Sequence, residues 1–337
     1  MREGVNPGMA SGPLGRALSH RVIIPVYIPE TEGYFSRSLE VLDLCLESLR
    51  KTVQGRATVS LVINGACPEC RALVEREAER GWIDRVSLNS VNVGRVNAMV
   101  AEARAAHEPL ITLADADALF REGWLEAVEQ LYAAFPECGF AAPLPHPVMY
   151  RRHALSTLFG ATVGGLLGEA KVVDDADLDR FARSTANPDC FGPVDRASQV
   201  IVRRNGYTAC VGAGHFVCTL RHETVRGLPV LPTPEIMGPP ANERLDLPPD
   251  VQGFWRLSTT KAYVDHMGNV PEPWMRDLVD RLPEPGDAPR TSVSPAPYRQ
   301  PLASALNWSI RRQAGDLLGR RLARKRRLRA AGGESRA

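Results

Sequence analysis

The chain has 337 residues, a formal net charge of +2, and 24% charged against 44% apolar residues. That is an ordinary globular composition with ample length for a buried core, in one large domain or two small ones. No apolar run reaches the ~18–20 residues of a membrane span, no signal-peptide apolar region opens the chain, and 7 scattered cysteines suit a reducing compartment better than a disulfide framework.

A cytoplasmic protein is therefore expected, its small net charge hiding a strongly basic C-terminal stretch. Met1 to His20 is rich in Gly and Pro and reads as a frayed end. Arg21 to Ile28 reads as a first buried parallel strand, with Pro25 marking where its regular pairing stops. From Ser36 a helix follows, with Leu39, Leu42, Cys45, Leu46 and Leu49 at helical spacing. Ala57 to Ile63 is the second strand and ends at the turn pair Asn64-Gly65. The next helix runs from Pro68 to Gly81, its natural stop. Cys67-Pro-Glu-Cys70 at its start has zinc-like spacing. Zinc needs two further ligands, and no second Cys-x-x-Cys or His pair at ligand spacing exists, so the motif reads as a helix start. Arg85 to Asn89 is a weaker third strand, leading through Asn92-Val93-Gly94 into a helix that reaches Ala106.

Pro109 to Phe120 is the stretch that organises the rest. A short apolar strand ends in Asp115-Ala116-Asp117, and a helix follows with Trp124, Val128, Leu131, Tyr132 and Phe135 on one face. Residues i and i+2 of a strand share a side. Two carboxylates where a strand stops can aim their oxygens outward together. Hard divalent cations take oxygen ligands and keep waters and substrate phosphates, so the pair suits a metal–diphosphate site at a sheet's C-terminal edge. Capping of the next helix is the plainer alternative. Strands alternating with helices at this spacing give an α/β fold with a mainly parallel sheet flanked by helices.

Beyond Pro143 the pattern loosens. Tyr150 to Gly168 allows a helix, and Val172 to Asp179 reads as an acidic surface segment. Gln199 to Val202 and Tyr207 to Val211 flank an Asn205-Gly206 hairpin turn. His215 to Arg226 reads as a helix, Leu228 to Pro249 as a Pro-rich irregular loop, Phe254 to Asp265 as a strand, and Pro283 to Pro301 as a linker.

Four pieces in order resemble a family 2 glycosyltransferase of the GT-A fold over Arg21 to Asn269. They are Ile24-Pro25-Val26-Tyr27, Val62-Ile63-Asn64-Gly65, Gly94-Arg95-x-x-Ala98-Met99 and Asp115-Ala116-Asp117. A fifth, Lys261 to His266, resembles the late strand whose histidine is a metal ligand in some GT-A enzymes. The resemblance implies a metal-dependent, inverting transfer of sugar from a nucleotide-sugar donor, with Mn²⁺ or Mg²⁺ on Asp115, Asp117 and His266. Pro25, Tyr27, Glu30, Asn64, Arg95 and Asp115 would hold the donor. Packing, turn and surface roles stay open for Tyr27, Glu30, Asn64, Arg95 and His266. The family's Glu-Asp pair, which supplies the catalytic base, has no clean match; Asn242-Glu243-Arg244-Leu245-Asp246 lies in its place. Glu243 and Asp246 are the candidate bases, Asp246 the favoured one.

The expected organisation is a flexible end over 1–20, a GT-A domain over 21–275, a linker over 276–301 and a basic tail over 302–337. The tail mixes Leu306, Ile310, Leu317 and Leu322 with Arg320, Arg321, Arg324, Arg326 and Arg327. It reads as an amphipathic helix for an anionic membrane surface or as a solvated tail, with nucleic acid a poorer third. The acceptor is a glycan, a lipid-linked molecule or a small molecule. Rival readings are a nucleotidyltransferase, disfavoured because Ile24 to Glu32 has no Gly-rich phosphate loop, and a degenerate domain acting as a membrane or partner adaptor.

Overall fold

The structure, a computed structural model, describes residues 18–286 and 306–333, with residues 4, 295 and 297–299. The frayed end and the linker expected from the sequence lie largely outside the described residues. The first half alternates as expected: β1 (His20–Val26), α1 (Ser38–Val53), β2 (Thr58–Asn64), α2 (Pro68–Glu79), β3 (Arg85–Asn89), α3 (Arg95–Arg104) and β4 (Leu110–Ala114). A short β5 (Ala118–Phe120) then leads into α4 (Trp124–Ala134) and β6 (Cys138–Ala142). β1 is parallel to both β2 and β4, and β2 to β3. Trp124, Val128, Leu131, Tyr132 and Phe135 are all fully buried, as the helical spacing of α4 requires. Cys67 caps α2 with Pro68 at its first position, the helix start the sequence suggested.

The second half departs from the sequence reading. Only Leu155–Val163 of the expected Tyr150 to Gly168 helix is α-helical (α5), and Leu167–Ala170 is an edge strand, β7. The acidic segment after Val172 becomes α6 (Asp175–Ser184), because Asp174 accepts the Ala176 N–H at 3.0 Å as its N-cap. A short α7 (Pro193–Ala197) precedes the hairpin β8 (Gln199–Arg204) and β9 (Tyr207–Val211).

The expected His215 to Arg226 helix is instead β10 (Val217–Arg221) followed by a single turn, α8 (His222–Arg226). Every residue of Val-Cys-Thr-Leu-Arg is buried on insertion between β4 and β6, antiparallel to both, so strand pairing overrides local helix preference. Half of the expected Pro-rich loop is α9 (Pro239–Gln252). Pro239 and Pro240 sit where first-turn N–H groups are unpaired anyway, and Pro248-Pro249 fall near the end, before Gly253 at φ 94° stops the helix. The expected Phe254 to Asp265 strand is two: β11 (Trp255–Ser258) in the main sheet and β12 (Val264–His266), which leaves it to pair with β5.

The main sheet has ten strands in the order β3-β2-β1-β4-β10-β6-β11-β9-β8-β7. It is parallel from β3 to β4 and between β6 and β11, antiparallel elsewhere; the expected α/β architecture is present with a more mixed sheet. The last helices are α10 (Pro273–Arg281) and α11 (Trp308–Gly333). The expected domain boundary at 275 falls inside α10, whose Val279 is buried and accepts a hydrogen bond from Lys51 Nζ of α1 at 3.1 Å.

Nor is the basic tail free. Arg311 is 3% exposed and donates to Ser156 Oγ at 2.6 Å and to the Val251 carbonyl at 2.8 Å. Arg326 pairs with Asp195 at 3.2 Å and donates to the Val194 and Ser198 carbonyls. Between these anchors Gly315 lies so close to α5 that a Cβ there would stand 2.5 Å from the Leu155 carbonyl oxygen. No helix among the described residues is long and apolar enough to cross a membrane.

Candidate active site

β4 ends between β1 and β10, and its last buried residue, Ala114, hands the chain to Asp115 at the sheet's C-terminal edge. The Asp115 N–H donates to the Phe216 carbonyl at 3.0 Å, which ties the carboxylate pair to the start of β10. The ribbon of β5 and β12 sets His266 opposite Ala118, and the Met267 N–H donates to the Asp117 carbonyl at 2.9 Å. His266 Nε2 thereby stands 3.4 Å from Asp117 Oδ2. On the other side Arg95, first residue of α3, places Nε 2.9 Å from Asp115 Oδ1.

These groups floor a cleft of about 410 Å³ whose lining also includes Pro25, Tyr27, Asn64 and His215. Tyr27 is half-exposed, edge-on to Phe35 with ring centres 5.9 Å apart, and presents an aromatic wall. Asn64 is 1% exposed. Its Oδ1 accepts the Val93 N–H at 3.0 Å and its Nδ2 donates to Asn92 Oδ1 at 2.9 Å, so it clamps the loop before α3. Gly94 must be glycine: at φ +88° a Cβ would meet the Ile236 backbone at 3.2 Å. That close approach lets the 230s loop form the cleft's rim.

Asp115 and Asp117 have features a mere helix cap would lack. Asp117 Oδ1 is buried without a hydrogen bond, and Asp115 Oδ1, also buried, has only the ion pair with Arg95 Nε. Burial raises both above the usual carboxylate range; for Asp115 the Arg95 charge opposes this and the Asp117 charge adds to it. Burial also lowers His266, against the pull of Asp115, and its Nδ1 has no partner. Among the described residues no group of three or more His, Cys, Asp or Glu side chains is gathered closely enough to hold a metal ion. The carboxylate pair alone, with Asp117 Oδ1 unbonded and His266 beside it, fits a hard divalent cation that draws most of its ligands from water and phosphate.

Of the residues expected at the site, Pro25, Tyr27, Asn64, Arg95, Asp115 and Asp117 line the cleft, and His266 touches Asp117. Glu30 is exposed outside it, and so is Glu243. Asp246, the favoured base, is 4% exposed and does not open on the cleft. One oxygen accepts from Arg256 Nη2 at 2.7 Å and the other meets His215 Nδ1 at 2.8 Å. Burial alone would raise its titration, but Arg256 and His215 outweigh that and hold it well below the usual range. His215 was hidden from sequence reading because Gly214-His215-Phe216 carries no spacing to a partner; the partner lies 31 residues on.

Residues 22–142 match the family model described as Glycosyl transferase family 2. The match runs from β1 to the end of β6 and covers all four motif pieces, the carboxylate pair among them. Over that stretch the chain is similar to family 2 glycosyltransferases, and it has the α/β fold the resemblance implied. Among solved structures, S. aureus TarS 1–349 is similar at 17% identity and a TM-score of 0.30, over 36% of this chain and 34% of that one. The same TarS portion in complex with UDP-GlcNAc gives 17% and 0.30, over 36% and 33%. The mannosyltransferase PcManGT from Pyrobaculum calidifontis, in complex with GDP-Man and Mn²⁺, gives 14% and 0.44, over 95% and 81%. The chain thus spans about a third of the length of the TarS structures it matches. No curated protein sequence matches it.

Proposed function

We propose that this protein transfers a sugar from a nucleotide-sugar donor to a hydroxyl acceptor, with inversion at the anomeric carbon. The observation that carries the reading is the buried carboxylate pair Asp115 and Asp117 at the sheet's C-terminal edge, inside the family-matched stretch, Asp117 Oδ1 without a hydrogen bond and Asp115 Oδ1 held only by the Arg95 ion pair. Asp115, Asp117 and His266 would hold Mn²⁺ or Mg²⁺, which when bound neutralises charge on a departing diphosphate. Arg95 is the cation of the cleft floor; a donor phosphate would compete with Asp115 for its guanidinium. Tyr27 offers a stacking wall for base or ribose, and Pro25 and Asn64 shape the pocket beneath it. Ile236 and Met237, 53% and 74% exposed, form an apolar rim of the cleft. Desolvation inside the cleft strengthens each of these charge contacts.

The outer face of α11 presents Arg320, Arg321, Arg324 and Arg327 with Leu317 and Leu328 exposed among them. It is the face we assign to an anionic membrane surface.

The test is thermal melting of the full chain against a panel of UDP- and GDP-sugars, each with and without Mn²⁺, beside an assay of nucleoside diphosphate release. One donor class is expected to raise the melting temperature only with the metal and to be cleaved. A panel in which no nucleotide sugar binds or is cleaved would refute the reading and leave the adaptor alternative.

A further inference from the structure

Resting on the glycosyl-transfer reading above, we propose that His215, rather than a carboxylate, takes the proton from the acceptor hydroxyl, with Asp246 and Arg256 as its positioning residues. Elimination within the cleft comes first. The ionisable side chains that line it among the described residues are Tyr27, Tyr34, Arg95, Asp115, Asp117 and His215. The tyrosines are weak acids that are protonated at neutral pH, and Arg95 is a permanent cation. Asp115 and Asp117 face the diphosphate side. Asn242, which lies where the family's Glu-Asp pair is expected and does line the cleft, cannot accept a proton at its amide. His215 is left.

Its geometry is that of an oriented base. Asp246 is an acceptor when ionised, and the adjacent Arg256, 1% exposed with Nη2 at 2.7 Å, keeps it so. The carboxylate therefore takes the hydrogen of Nδ1 at 2.8 Å and fixes the tautomer that leaves the lone pair on Nε2. Arg256 is itself locked, donating to the Ala213 and Asp246 carbonyls at 2.7 and 3.1 Å and stacked over Phe140. The imidazole is 30% exposed, while Asp246 behind it is 5% exposed by side chain, so the ring faces the cleft and the carboxylate does not. The Phe216 carbonyl that receives the Asp115 N–H fixes His215 one residue away from the diphosphate floor.

The step balances without a further reactant. The acceptor oxygen forms its bond to the anomeric carbon, and the bond from that carbon to the β-phosphate oxygen breaks, its electron pair leaving with the nucleoside diphosphate. The hydroxyl proton passes to His215 Nε2. The resulting imidazolium stays paired with Asp246, so no isolated charge is created behind the cleft.

The experiment uses the full chain with Mn²⁺ and whichever of the UDP- and GDP-sugars the panel selects, reading single-turnover nucleoside diphosphate release and, separately, donor affinity. His215→Ala is expected to slow release by about 10²–10⁴-fold while donor affinity stays within about 3-fold, and added imidazole is expected to restore about tenfold or more. His215→Gln, which keeps volume and polarity, should lose as much without rescue by its own side chain. Asp246→Asn should lose rate and keep donor affinity, since it leaves the imidazole in place but frees its tautomer. A His215→Ala protein with near-normal release, or one that loses rate and donor affinity together without imidazole rescue, would overturn the assignment. If the wild-type chain neither binds nor cleaves any donor, the glycosyl-transfer reading itself fails, an outcome distinct from normal wild-type turnover with an indifferent His215.

Discussion

Replacing Asp117 by Asn separates a ligand site from a structural cap, because the two roles give opposite signs. Asp117 Oδ1 accepts no hydrogen bond, and burial raises the titration of both carboxylates. A carboxyl group raised in the folded state binds more protons there than in the unfolded chain. The stability it contributes is full below the unfolded value near ~3.9 and is lost as pH rises through the raised folded value. At neutral pH the metal-free wild type therefore carries two ionised, poorly solvated charges side by side. Each pH unit of displacement corresponds to ~1.4 kcal/mol. With water still reaching the pair, we set the relief on neutralising Asp117 at about 1–2 kcal/mol, or several °C in melting temperature. Metal-free Asp117→Asn should melt above metal-free wild type at pH 7.5, and the difference should shrink toward pH 4. Mn²⁺ at about 100 times its dissociation constant should stabilise the wild type by ~2.7 kcal/mol and the variant hardly at all. Melting curves at several pH values, with Mn²⁺ or a chelator, provide the assay. A variant that melts below wild type without metal, and gains as much from Mn²⁺, would refute the reasoning and return Asp117 to a capping role.

Three further outcomes follow from groups away from the cleft. His20 is fully buried, bonded through Nε2 to Thr112 Oγ1 at 2.6 Å, and burial pushes it down to about 3; the unfolded chain then binds the extra proton, so stability should be full above ~6.5 and fall as pH drops toward 3, with a shallower fall in His20→Asn. Urea midpoints across that range measure it. Gly315→Ala should destabilise the chain by about 1–3 kcal/mol, although the same change in a free helix gains ~1 kcal/mol, because its Cβ would stand 2.5 Å from the Leu155 carbonyl; a stabilised variant would mean that α11 does not dock as described. Arg321→Glu with Arg324→Glu should leave the melting temperature within ~1 °C and weaken binding to anionic vesicles by about 1 kcal/mol or more per charge, most of it at low salt; unchanged vesicle binding would remove the membrane role of this face.

The legible part of the chain is the part whose partners are near in sequence. Between β1 and β4 each strand pairs with a neighbour of the same βαβ series, so alternation alone places Pro25, Asn64, Arg95 and Asp115 at one sheet edge. Past Pro143 the partners are remote. β10 is a strand because β4 and β6 flank it, and β12 ends where it does because β5 is waiting. Nothing local to Val217–Arg221 or Val264–His266 encodes either pairing. The helix over Pro239–Gln252 is masked by four prolines: Pro239 and Pro240 fall in the first turn, where a missing N–H costs little, while Pro248 and Pro249 lie inside the helix just before it stops at Gly253. For α11 the charge density itself misleads: in a tail that reads as membrane-facing or solvated, Arg326 is buried against carbonyl oxygens, and so is Arg311 at the helix's other end.

The same distinction governs where the proposed base lies. Read along the chain, Glu243 and Asp246 are carboxylates in the place where a catalytic carboxylate is expected, and three residues of spacing put them on one side of a helix. The helix does form, but the side it offers the cleft carries Asn242, while Asp246 turns inward to the Arg256 guanidinium. An ionised carboxylate so deep costs stability unless both oxygens are satisfied, and the group available for the second oxygen is His215, brought across by β10. Burying Asp246 thus takes one carboxylate away from the cleft and, through Nδ1 of His215, orients the base proposed above. A carboxylate in this position needs direct access to the acceptor. A histidine held from behind needs only its Nε2 exposed, and that is the arrangement the strand order of this sheet provides.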